Sequence, residues 1–220
     1  SDLNPEYSDE GYVLPPLQVN WHELPIEYGK AMDKDGQMLL FEQAAAGLKE
    51  AAHVKKDTIE KRVKKAAEIV RKSPDDHFVI WHDREAEREE IKKQIPGTVD
   101  IYGNMEYEER ERRVIAFSDG EVQYFATKKS LSGSGCNFQR FCHREIFVGI
   151  DYEFNDFIQA IHRCYRFLQE KQVVIDIIYM ESEREIKAAL EEKWRNHNRM
   201  VEKMIEIVKR YGLNTTDKFK

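Results

Sequence analysis

Gln159, Arg163 and Arg166 stand in the order Gln-x-x-x-Arg-x-x-Arg. On a helix these positions are i, i+4 and i+7, so an amide and two guanidinium groups would project from one face. A guanidinium is planar, permanently charged and matched to the paired oxygens of a phosphate, so such a face can receive an anion. An isolated arginine pair is more commonly a solvated charged face. The residues upstream weigh against that reading here. Residues 127–144 carry Lys128, Lys129, Arg140 and Arg144 and no acid. Within them, Gly133-Ser-Gly135 makes a loop whose backbone amides can approach a phosphate closely. A lone Gly-x-Gly is weak evidence. A Gly-x-Gly loop, a strand and a two-arginine helix in that order say much more.

The elements that must hold these residues follow from hydrophobic spacing. Ile59, Val63, Ala66, Ala67 and Val70 predict a helix over 57–72, stopped by Ser73-Pro74. The runs 77–82, 99–102, 122–126, 144–148 and 173–179 read as strands, with helices over 84–94, 107–118 and 154–168 between them. In the last of these helices Phe154, Phe157, Ile158, Ile161, Tyr165 and Leu168 form the apolar stripe, opposite Gln159, Arg163 and Arg166. Strands alternating with helices predict an α/β fold, a mostly parallel sheet of five or six strands with helices on both faces. Loops at the carboxyl ends of such strands form the ligand edge. Residues 183–211, free of Pro and Gly, predict a long C-terminal helix that outruns the core. Residues 1 to about 50 show no clear period and Tyr12-Val-Leu-Pro-Pro-Leu17 is rigid and extended, so this part reads as a connector or as an extension packed on the domain.

Composition narrows the function classes. Charged residues make up 35% of the 220-residue chain and its net charge is −6, so any nucleic-acid contact must rest on the local basic strip. The apolar runs are too short to span a membrane. Three cysteines, Cys136, Cys142 and Cys164, fit ordinary buried thiols in a reducing compartment. With His143 they match no zinc spacing, so no metal ligand is assigned. The phosphate loop Gly-x-x-x-x-Gly-Lys-Ser/Thr is absent, and no apolar strand precedes the acid pair Asp9-Glu10. A dinucleotide-binding enzyme is disfavoured. Gly133-Ser-Gly135 follows the third strand of the alternation, and no acid sits where a ribose would need one. The chain does not begin with Met and is read as a segment of a larger protein.

Thr127-Lys-Lys-Ser-Leu-Ser-Gly-Ser-Gly-Cys-Asn-Phe-Gln139 resembles motif V of superfamily-two helicases, and Gln159-Ala-Ile-His-Arg-Cys-Tyr-Arg-Phe-Leu-Gln169 resembles motif VI of the Swi/Snf-type branch. Residues 151–155 match its Asp-aromatic-Asn link, and Phe78-Val-Ile-Trp-His82 is similar to motif IV. Gly103, Glu109-Arg110 and Phe117 fit the block between, and residues 12–17 resemble the linker of phage and bacterial relatives. In this chain His162 and Cys164 stand where the branch has acidic or glycine and His residues, and Phe167-Leu168 replaces an Ile-Gly pair.

The resemblance, over about residues 55–185, implies the second RecA-like lobe of an ATP-driven motor. Residues 1–54 would be a connector or extension from the preceding lobe, 55–182 would form the lobe and 183–220 the long helix. Arg163 and Arg166 would be catalytic arginine fingers. Gly133, Gly135, Asn137 and Gln159 would join them around ATP. Lys128, Lys129, Ser130, Ser132 and Arg140 would hold a DNA or RNA backbone. The first lobe of the same parent would supply the phosphate loop and the acids for Mg²⁺. ATP and Mg²⁺ are therefore expected in the intact parent, a hydrolase, and not on this chain by itself. A cytoplasmic setting, bacterial or phage-encoded, is implied. Helicase or double-strand translocase stays open. The alternative is a non-catalytic interaction module with the same fold.

Overall fold

The computed structural model describes residues 14–26, 47–130 and 136–211. Among the described residues six strands form one sheet: β1 (Gln18–Leu24), β2 (His77–His82), β3 (Val99–Asp100), β4 (Tyr124–Lys128), β5 (Cys142–Phe147) and β6 (Val174–Met180). Their order is β1-β6-β5-β2-β4-β3, and every neighbouring pair is parallel. Parallel neighbours need crossovers, and helices provide them. These are α1 (Gly47–Lys72), α2 (Glu85–Gln94), α3 (Tyr107–Ser118), α4 (Phe154–Ile161) and α5 (Arg184–Tyr211), the last led by a 3-10 turn at Glu181–Glu183.

The side-chain alternation of each strand feeds two cores. Phe78 and Ile80 of β2 pack with Ile59, Val63 and Val70 of α1 and Ile91 of α2. Val79 and Trp81 face the other way, toward Phe117 of α3, Phe157 and Ile161 of α4 and Leu190 of α5. Helices therefore cover both faces, as the sequence predicts. The outer half of α5 leaves the core, with Met200, Val201, Met204, Ile205 and Ile207 exposed.

Three expectations change. The segment read as a connector or packed extension contains an unexpected strand, β1. It forms the sheet edge against β6, from Gln18 opposite Val174 to Leu24 opposite Met180. The expected strand over 99–102 shortens to Val99–Asp100, and β4 runs on to Lys128. The expected helix over 154–168 ends at Ile161. Beyond it the chain makes short i→i+3 turns, Arg163 N–H to Ala160 O at 2.9 Å and Cys164 N–H to Ile161 O at 3.2 Å. Only twelve residues separate Ile161 from Val174, where the chain must re-enter the sheet beside β5, so the helix stops and the chain folds back. Leu168, expected on the apolar stripe, is 58% exposed with φ 67°.

Candidate phosphate-facing site

Arg163 and Arg166 sit in the turn after α4, not on its face. The turn is sewn to the segment that follows Gly135 in the chain. Phe138 N–H donates to Arg163 O at 2.9 Å. The Arg163 Nη1 donates to Cys136 O at 3.5 Å, and the Arg166 Nη1 donates to the side-chain oxygen of Asn137. Phe138 anchors this contact because its ring is buried against Phe117 and Phe125, at centroid distances of 5.0 and 5.8 Å. The loop residues Ser132, Gly133 and Gly135 lie outside the described residues. Their C-terminal neighbours, Cys136 and Asn137, touch both arginines.

Gln159, His162, Arg163, Arg166 and Phe167 line an open hollow of about 460 Å³. The three residues singled out from the sequence thus share one concavity, although a helix end and a turn bring them there. Among the described residues both guanidinium groups are held by neutral oxygens and neither meets a carboxylate. The Nε of each has no hydrogen-bond partner there. Two cations without an acid leave local positive charge for an outside anion.

The expected nucleic-acid contacts divide. Lys128 is half-buried, and Ser130 and Arg140 are exposed. The Arg140 guanidinium lies 5.4 Å from the Phe141 ring centroid. Lys129 is different: its side chain is 6% exposed and its Nζ lies 2.6 Å from Asp151 and 3.2 Å from Asp83. Burial opposes its charge, but the two carboxylates outweigh burial and raise its pKa. Asp83 follows β2, Lys129 follows β4 and Asp151 follows β5, so the cation brackets three strand ends on the ligand edge. Arg144, also in the basic strip, is taken up by Asp176 at 3.5 Å and Asp76 at 3.7 Å. Sequence reasoning saw four cations in an acid-free stretch. It missed the acids that meet two of them, because those acids arrive from other strands.

A third group was not singled out as a site residue: Gln169, 4% exposed, whose amide reaches into the backbone beneath the turn. Its place as the last glutamine of the motif is the only signal the sequence carries. Cys136, Cys142 and Cys164 are free thiols, and no cluster of three metal-ligating side chains occurs among the described residues. No helix there is long and apolar enough to cross a membrane.

No family model and no curated protein match the chain. Its fold does match solved structures. One is the C-terminal part of the Fun30 ATPase domain, with a TM-score of 0.53 and 14% identity over 59% of this chain and 45% of that one. Another is the E. coli DEAD-box protein SrmB bound to regulator of ribonuclease activity A, with a TM-score of 0.51 and 9% identity over 60% of this chain and 78% of that one. The chain spans less than half of the matched Fun30 chain. At these identities the likeness establishes the fold alone, an α/β RecA-like architecture shared with these two structures.

Proposed function

We propose that this chain is the second motor lobe of a nucleic-acid-dependent ATPase, with Arg163 and Arg166 as its arginine fingers. The observation that carries the reading is a pair of guanidinium groups at one hollow, held among the described residues only by neutral oxygens of Cys136 and Asn137. In phosphoryl transfer the protein contributes mainly position and charge, and an arginine at the γ-phosphate contributes about 10³ to 10⁵ in rate. Gln159 and Asn137 would orient the nucleotide and the second arginine. Gly133 and Gly135 would bring backbone amides to it. Mg²⁺ and the phosphate loop belong, in this reading, to the first lobe. Lys128, Ser130, Ser132 and Arg140 would hold backbone phosphates without reading bases. A cytoplasmic setting suits the three free thiols.

The test is ATP turnover by the full-length protein that carries this chain. Arg163→Ala and Arg166→Ala should each lower kcat by about 10³ or more while the KM for ATP moves little, since the lost interaction acts in the transition state. Arg→Lys should not rescue it, because a point charge lacks the planar fork. Near-normal turnover in both alanine variants overturns the reading. It would favour the rival interaction module, for which the exposed apolar residues on the outer half of α5 speak.

A further inference from the structure

Gln159 and Gln169 are the same residue type at the two ends of one motif, yet they are used in opposite ways. Gln159 is exposed on the hollow. Gln169 is 4% exposed, and its amide is fully engaged beneath it. Its Nε2 donates to the carbonyl oxygens of Cys142 and Cys164, each at 3.1 Å, and its Oε1 accepts from Lys171 N–H at 3.0 Å. Both N–H donors of the amide and one lone pair of its oxygen are therefore occupied by backbone, and no donor remains to meet a phosphate.

The bonds made by Gln169 close a ring around the turn. Cys142 N–H donates to Phe138 O, and Phe138 N–H donates to Arg163 O, each at 2.9 Å. Gln169 then ties Cys164, the residue after Arg163, back to Cys142. Its own N–H donates to Arg166 O at 3.0 Å. The first residue of β5 is thus fastened to the turn between the two arginines by one side chain and to Arg163 through one buried phenylalanine. Cys164 and Cys142 are fully buried, so the turn has no room to slide.

We propose that Gln169 is a positioning residue for Arg163 and Arg166. It fixes the turn that carries them to the start of β5 and meets neither ATP nor nucleic acid. The proposal rests on the finger reading given above. Its physical basis is that a charge acting on a transition state must be held within a fraction of an ångström, and a displacement of about 1 Å costs about 100-fold in rate. A turn outside any helix has no regular hydrogen-bond ladder to give that precision, so a side chain must.

The experiment measures ATP turnover, ATP KM and nucleic-acid affinity of the full-length protein carrying Gln169→Met or Gln169→Glu, alone and with Arg163→Ala. Gln169→Met keeps the length and removes the donors. Gln169→Glu keeps the shape and sets a carboxylate against two carbonyl oxygens. The expected result is a fall in kcat of about 10- to 100-fold, with ATP KM and nucleic-acid Kd within about threefold. On the Arg163→Ala background the same changes should cost only part of that loss, because one of the two arginines they position is already gone and only Arg166 remains to be displaced. Normal turnover per folded molecule, or an equal loss on both backgrounds, overturns the proposal. So does unfolding of both variants at the assay temperature, which would assign Gln169 to the core. Normal turnover by Arg163→Ala itself would instead strike the finger reading, so the two failures are distinguishable.

Discussion

The imidazole of His82 should make this fold labile to mild acid. His82 ends β2, is 2% exposed and has no well-formed hydrogen bond at either ring nitrogen. Burial is the main cause that pushes its pKa from 6.5 down to about 4, and the charges of Lys128 and Arg88 push the same way. In the unfolded chain the ring takes a proton near pH 6.5. In the folded chain it refuses one until about pH 4. Between those values the unfolded state holds more protons, so stability is complete above pH 6.5 and is lost as pH falls toward 4. The gap of about 2.5 pH units, at about 1.4 kcal/mol each, corresponds to about 3 kcal/mol, a large part of a domain's total stability. The assay is urea unfolding of the chain and of His82→Phe at half-unit steps from pH 8 to 4. The stability difference between them should shift by about 3 kcal/mol in favour of the variant across that window. Carboxylates with lowered pKa values, such as Asp176, lose their contribution only as pH falls below the ordinary carboxylate range, so the windows are distinct. A difference that stays constant from pH 7 to 4 would refute the burial argument, whatever its absolute size.

Three further outcomes follow from single side chains. Leu168 is the one described non-glycine residue with positive φ, at 67°, and its side chain is exposed, so Leu168→Gly should raise stability by roughly 1 kcal/mol in thermal unfolding. Glu145 lies in the core with Oε2 2.8 Å from the Trp81 Nε1, and burial pushes its carboxyl well up. Its folded form keeps a proton that the unfolded chain releases, so stability falls as pH rises above the ordinary glutamate value; Glu145→Gln should remove that decline and raise the pH 7 melting temperature. Lys129→Gln should leave the salt dependence of nucleic-acid binding unchanged, because its charge already answers Asp83 and Asp151, whereas Lys128→Gln should lower the slope by about one. Equal slopes in the two variants would contradict the bracket.

The layering of the fold was legible because its signals are local. Each strand between β2 and β6 is an apolar run ended by a turn signal or a charged helix start, and a parallel order follows once helices intervene. The strand β1 was not legible. Gln18-Val-Asn-Trp-His-Glu-Leu24 becomes a strand by pairing with β6, about 150 residues away, and no neighbour announces that partner. The end of α4 was hidden for another reason. Successive i→i+3 turns keep nearly helical spacing, so apolar periodicity continues through Tyr165 although the helix has stopped.

At the site, the amino-acid sequence by itself determined which groups are present: two guanidinium groups behind a glutamine, a glycine loop before them and a basic strip without acids. Residue type and spacing decide chemistry, and both are local. The tertiary structure decided which of those charges remain available. Lys129 reads as a free cation until the ends of β2 and β5 bring Asp83 and Asp151 against it from 46 and 22 residues away. Arg163 and Arg166 read as one face of a helix. The fold instead holds them in a turn, fastened through Phe138 and Gln169 to β5 and, among the described residues, without a carboxylate. Whether a charge is spent or kept depends on what packs beside it, and for a parallel sheet those neighbours come from strands far apart in the chain.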